Sequence, residues 1–299
     1  MSSILTDMKK KHDFLVCVDS DGCVFDNMEL KHKECFCPAT VNVWGLQGVS
    51  RYAREAAEFV NLYSSTRGSN RFPALIRTLE LVYARTEVSS RGYVIPDLGP
   101  LKEWVANTPV LSAVAIEEYE KEHPDMPEVL ATAARWSREV DENISRIVHG
   151  ITPFPHVKEA LKILGAFADV VVVSATPHEA LLREWESCGL TSYVSIVAGQ
   201  ELGTKAQCIL QAMEDKYDAE HVMKIGDAPG DYNAAMENGV LFCPIIPGKE
   251  DESWQRIIER DSILFKDLKY KGEAMDSNLK EFFGVLLDTP PWGVIPKTS

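Results

Sequence analysis

Apolar positions along the chain follow two alternating rhythms. Runs of adjacent apolar residues occur at 14–18 (FLVCV), 170–173 (VVVV), 194–198 (VSIVA), 222–225 (VMKI) and 240–246 (VLFCPII). Each is short, rich in β-branched side chains and bounded by polar residues. Each is therefore predicted to be a strand covered on both faces, the habit of parallel sheets. Pro244 weakens the end of the last run, because proline cannot donate to a ladder. Between the runs the spacing becomes helical. Residues 156–164, the stretch HEALLREWESCG after Thr176-Pro177, and residues 205–213 read as helices, and a fourth begins at 232–237. Pro177 reads as the first residue of its helix and Gly189 as the stop. Strand–helix alternation from Phe154 to about Pro247 predicts an α/β fold with a doubly wound, Rossmann-like parallel sheet.

Residues 34–149 break this pattern. They lack valine-rich runs, and the stretches 49–63, 72–86 and 127–148 read as amphipathic helices. The expected organisation is a core made of 1–33 and 150–299, interrupted by a mainly helical insertion at 34–149. After Gly248 the chain is charged, with one helix predicted near 279–287. The final PPWGVIPKTS reads as irregular, with Trp292 its candidate packing residue.

Composition narrows the function classes. At 299 residues, 45% hydrophobic and 25% charged, the chain is that of an ordinary globular protein. A net charge of -14 and a pI near 5.0 argue against a nucleic-acid partner held by bulk charge. No leader pattern and no membrane-length apolar run are evident, so no membrane partner is expected and the cytoplasm is the expected compartment. The seven cysteines are scattered and odd in number, which fits reduced thiols. Cys35 and Cys37 form the one close pair, and no second pair at a metal-ligand spacing follows to complete a zinc site.

Charged and hydroxyl residues collect where strands are predicted to end. Asp19-Ser20-Asp21 follows the first run, Ser174-Ala175-Thr176 the second, and Gly226-Asp227-Ala228-Pro229-Gly230-Asp231 the fourth. Lys205 opens a helix after GQELGT. Ligands of an open parallel sheet gather at the carboxyl ends of its strands. Alone, each cluster could be a cap, a turn or a solvated loop. Together, each at a strand-to-helix junction, they point to a site. Asp19 and Asp227 offer hard oxygens for a small divalent cation such as Mg²⁺, which also relieves their mutual repulsion. Ser174 and neighbouring backbone N–H groups, including that of Ala175, can bind phosphate oxygens, and Lys205 adds a compact positive charge. An EF-hand loop starting at Asp19 fails, because Cys23, Val24 and Leu30 stand where it needs an oxygen ligand, a glycine and a glutamate. No GxGxxG follows the first run, so a dinucleotide site has no fingerprint.

The stretches VCVDSDGCVFD, VVVVSAT, GTKAQ and KIGDAPGDYNAA, in this order, resemble the four motifs of the haloacid dehalogenase superfamily of phosphohydrolases. The resemblance covers about 1–33 and 150–247. By position and helicity, 34–149 resembles the cap inserted between the first and second motifs. The resemblance implies a nucleophilic Asp19 that forms an aspartyl-phosphate, and an Asp21 that protonates the leaving oxygen and then activates water. It implies Mg²⁺ held by Asp19, the backbone carbonyl of Asp21 and Asp227, with Asp231 supporting the metal or orienting Lys205. Ser174 and Lys205 would bind the phosphoryl group. Asp21 favours phosphate-ester chemistry over the dehalogenase and phosphonate-cleaving branches, whose pattern lacks this second aspartate. Cys23 departs from the threonine usual at its place.

The expected activity is hydrolysis of a small phosphorylated metabolite. A phosphomutase using the same intermediate, or a non-catalytic binding protein on this fold, is the alternative. In the insertion, Arg67 and Arg71 lie in STRGSNRFP, where they could read a substrate anion or simply belong to a solvated connection.

Overall fold

The five apolar runs become five strands. The computed structural model of the chain describes residues 3–293. In it β1 is Phe14–Val18, β2 Ala168–Val173, β3 Ile196–Ala198, β4 Val222–Gly226 and β5 Leu241–Pro244. All neighbours pair in parallel, in the order β3-β2-β1-β4-β5. The order runs outward from β1 in both directions, which puts the switch point of the doubly wound sheet beside β1.

The two-residue period of a strand explains why the runs are apolar throughout. Val16, Val18, Val170, Val172, Met223 and Ile225 pack into one core, while Leu15, Cys17, Val171, Val173, Val222 and Phe242 pack into another. Helices Val157–Leu164 and His178–Ser187 cover the first face through Leu161, Leu164, Leu181 and Trp185. Helices Lys205–Met213, Pro229–Glu237 and Glu273–Val285 cover the second through Ile209, Ala234, Ala235 and Phe282.

Several boundaries differ from expectation, each for a local reason. β2 begins two residues early, because the buried Asp169 is fully paired there. Its Oδ2 accepts the N–H groups of Lys11 and His12 and the Tyr217 hydroxyl, at 2.8, 3.0 and 2.6 Å. Pro177 precedes its helix instead of opening it: with φ -55° and ψ 136° it is extended, and the helix starts at His178. The helix expected at 232–237 starts at Pro229. The one expected at 279–287 runs over Glu273–Val285.

The described residues fall into two compact units, drawn from Met1–Asn27 with Gly150–Leu286, and from Met28–His149 with Leu287–Ser299. The second is helical. Helices Ser50–Glu58, Arg71–Tyr83, Gly99–Asn107 and Glu128–Ile147 enclose their own core around Phe59, Phe72, Trp104 and Trp136. The Trp136 indole donates to the Thr40 hydroxyl at 3.0 Å. A short tail closes this unit. Leu287 exchanges backbone hydrogen bonds with Tyr63 and Ser65, and Trp292 packs edge-on to Phe59 at 5.6 Å. The Arg85 guanidinium lies between the rings of Tyr52 and Trp292, 4.6 and 4.5 Å from their centroids. No helix among the described residues is long and apolar enough to cross a membrane.

In the sheet unit the fully buried Trp254 indole donates to the Cys23 carbonyl at 2.8 Å, tying the turn after β1 to the first core. Trp254→Phe strands that carbonyl. Urea unfolding should show a loss of about 1–3 kcal/mol, the cost of an unsatisfied buried polar group. An unchanged midpoint would mean that the bond contributes nothing.

Candidate active site

β1 and β4 end side by side, and their carboxyl ends carry the acids. The ladder continues one step past β1, where Asp19 N–H donates to Ile225 O at 2.9 Å. Asp227 follows β4 directly, and Asp231 lies in the first turn of the Pro229–Glu237 helix. Asp19, Asp227 and Asp231 are 4%, 1% and 0% exposed. Each offers a carboxylate oxygen within 4.8 Å of the others. Lys205, the first residue of its helix, is aimed by a capping box of Thr204 and Gln207. Its ammonium donates to Asp19 Oδ2 at 2.7 Å and to Asp231 Oδ1 at 2.8 Å.

A second lysine completes the group. Lys224 sits in the middle of β4, on the face where Cys17 and Phe242 are its strand neighbours. It is wholly buried, and its ammonium meets Asp231 Oδ1 at 3.1 Å and donates to Val173 O at 3.1 Å. Nothing in the sequence reading singled out Lys224. The available signal was a charge inside an otherwise apolar strand run.

The electrostatics follow from three buried acids facing two ammonium groups. Burial and the Asp231 carboxylate push Asp19 up, to about 7, against the pull of Lys205 and Lys224. Burial works against the Asp231 carboxylate too, but Lys205 and Lys224 outweigh it and hold that group below its ordinary range. Burial likewise opposes the charge on Lys205, and Asp19 and Asp231 overcome it and hold the ammonium above its usual range.

Asp21 is only partly buried, and its carboxylate accepts from Asn27 Nδ2 at 2.6 Å and from Thr176 Oγ1 at 3.0 Å. Gly22, at φ 69°, turns the chain just after Asp21, a conformation that L side chains rarely adopt. Ser20 O accepts the N–H groups of Cys23, Val24 and Phe25, and Ser20 Oγ accepts from Trp185 Nε1 at 3.0 Å, so the turn is internally tied. Ser174 extends the ladder, its N–H donating to Ala198 O at 3.1 Å. Its hydroxyl accepts from Thr176 N at 3.3 Å, which shapes the loop through Ala175 instead of capping the helix beyond. Asn27 was not singled out from the sequence, and Thr176 only within Ser174-Ala175-Thr176, because the fold alone identifies their shared partner.

Asp26 is exposed. Arg67 and Arg71 are engaged inside the helical unit. Arg67 is buried and donates to Leu62 O at 3.1 Å. Arg71 pairs with Asp141 at 2.8 Å and with the Ser137 hydroxyl at 3.1 Å. Arg67 lies in the loop that ends at Asn70, whose side chain accepts from Phe72 N as the N-cap, and Arg71 opens the helix beyond it.

All seven cysteines are free, and Cys188 alone is not buried. Burial and the nearby Asp227 push the Cys23 thiol well above its ordinary range. A soluble alkylating reagent on the native protein should therefore modify Cys188 first and leave Cys23 intact, as peptide mass spectrometry would read. Early labelling of Cys23 would show that the turn opens. Gly226 packs against Asp231, and a Cβ there would fall inside the Asp231 side chain. Gly226→Ala should cost about 1–3 kcal/mol of stability, as overpacking does. Thermal unfolding measures it, and an unshifted midpoint would show that Asp231 relaxes without cost.

Residues 108–245 match the family model of haloacid dehalogenase-like hydrolases. The match spans Ser174, Lys205, Asp227 and Asp231 and stops short of the β1 acids. Similar solved structures include a haloacid dehalogenase-like family hydrolase from Streptococcus pneumoniae, with TM-score 0.49 and 12% identity, covering 82% of this chain and 90% of that one. Another, described as a predicted phosphoglycolate phosphatase from Haemophilus somnus 129PT, has TM-score 0.46 and 14% identity, with 79% and 85% covered. A third, a hydrolase of the same superfamily from Geobacter sulfurreducens PCA, has TM-score 0.40 and 16% identity, with 77% and 87% covered. No curated protein matches the chain.

Proposed function

From the match of residues 108–245 to haloacid dehalogenase-like hydrolases, we propose that the chain belongs to that family and is a magnesium-dependent phosphatase acting on a small phosphorylated metabolite. The observation that carries the reading is the acidic cluster at the ends of β1 and β4, where three buried carboxylates lie within 4.8 Å of one another beside Lys205 and Lys224.

The donor set suits a small hard cation. Its ligands are carboxylate oxygens, and the buried Asp231 Oδ2 accepts no hydrogen bond among the described residues. Asp19, Asp227 and the backbone carbonyl of Asp21 would hold Mg²⁺. Asp231, gripped by both lysines, would stand behind them. When bound, the ion would relieve the repulsion among the clustered carboxylates and help neutralise the phosphoryl oxygens.

The chain's own groups divide the remaining work. Asp19 is the nucleophile, and its carboxylate forms an aspartyl-phosphate as the ester oxygen leaves. Lys205 orients Asp19, opposes the upward push on its carboxyl, and supplies charge to the transferring group. Ser174 and the loop N–H groups near Ala175 hold the phosphate oxygens. Asp21 gives a proton to the departing oxygen and later takes one from the attacking water. The helical unit is the cap of this reading, with Arg67 and Arg71 acting in its packing.

Asp19→Asn keeps the size of the side chain and removes the nucleophile. Phosphate release from a panel of phosphorylated metabolites should fall to background in this variant. In the wild-type protein EDTA should stop release, and added Mg²⁺ should restore it. Near-normal turnover by folded Asp19→Asn protein would rule out the mechanism.

A further inference from the structure

Two hydrogen bonds on Asp21 come from donors of different chemistry. Asn27 Nδ2 reaches Oδ1 at 2.6 Å, and the Thr176 hydroxyl reaches Oδ2 at 3.0 Å. The orientation of the Asn27 amide is overdetermined. Its Oδ1 accepts the Gly22 N–H at 3.2 Å, while its Nδ2 faces two acids, Asp21 and, at 3.1 Å, Glu184. A flipped amide would set oxygen against both carboxylates and NH₂ against an N–H. Asn27 is fully buried, so water cannot rescue that arrangement. Glu184 lies on the His178–Ser187 helix and Thr176 in the loop before it. The clamp therefore joins the turn after β1 to the segment after β2.

An amide N–H can only donate, whereas a hydroxyl can donate or accept. Both donors reach the Asp21 carboxylate from fixed directions. We propose that Asn27 and Thr176 are positioning residues for Asp21, holding its carboxylate in the orientation from which it exchanges a proton with the leaving oxygen and with water. The proposal rests on the phosphatase reading above. In the first half-reaction the Asp19 oxygen–phosphorus bond forms as the bond from phosphorus to the ester oxygen breaks. The proton on the Asp21 carboxyl passes to that leaving oxygen. In the second, water oxygen bonds to phosphorus, the Asp19 oxygen–phosphorus bond breaks, and the proton lost by water returns to Asp21.

The test uses two substrates of nearly equal shape, phenyl phosphate and 4-nitrophenyl phosphate. Nitrophenolate is the better leaving group and needs little protonation. The ratio kcat/KM reports the steps through its departure. Asn27→Ala and Thr176→Val should each lower kcat/KM for phenyl phosphate by about 10²-fold, the lower end of what positioned proton transfer contributes. The loss on 4-nitrophenyl phosphate should be less than about tenfold, since proton transfer matters less there. Thr176→Ser should recover most of the lost rate. Should Asn27→Ala fail to fold by circular dichroism, the partly exposed Thr176 carries the test alone. Equal losses on both esters, no loss on either, or no recovery with Thr176→Ser would overturn the proposal. If instead wild-type protein and Asp19→Asn both fail to release phosphate above background, the phosphatase reading fails and the proposal falls with it.

Discussion

Three carboxylates within 4.8 Å of one another, in a site almost closed to water, are the constraint that the rest of the core serves. Buried charges must be paired, and the pairing here is a chain: Lys224 to Asp231, Asp231 to Lys205, Lys205 to Asp19. Each link comes from a different element. Lys224 stands in β4, Asp231 opens the following helix, Lys205 opens the helix after β3, and Asp19 ends β1. The parallel order brings these segments to one edge, and an antiparallel hairpin could not. Gly226 has no side chain because Asp231 occupies that space.

The chain also separates the roles of the two acids that stand two residues apart. Asp19 faces charged partners, and Asp21 faces neutral donors. One is built to be balanced by cations, the other to be oriented by an amide and a hydroxyl.

Much of this was legible in the sequence, and the pattern of what was not is physical. Strands buried on both faces announce themselves as valine-rich runs, so all five were found. Asp19, Ser174, Lys205, Asp227 and Asp231 were singled out because each sits at a strand-to-helix junction, and the fold brings Asp19, Lys205, Asp227 and Asp231 together. Lys224 was hidden inside a run that reads as apolar, and its partners lie in other segments. Asp169 looked like a strand boundary because a buried acid is unusual, yet two backbone N–H groups and a tyrosine satisfy it. Pro177 was misplaced by one residue, since proline suits both the first helical position and the extended residue before it. Asn27 and Thr176 are unremarkable residues until the fold sets both beside Asp21.

The tail that returns to the helical unit has a bearing on the order of synthesis. Neither unit is a continuous length of chain. β1 is made first, yet its neighbours β2 and β4 follow only after the whole helical region. That region, in turn, lacks Leu287 and Trp292 until the sheet unit has been completed. Domains tend to fold as they emerge from the ribosome. Here the helices can gather early, but Phe59 and Arg85 wait for their last cover until nearly the entire chain is made.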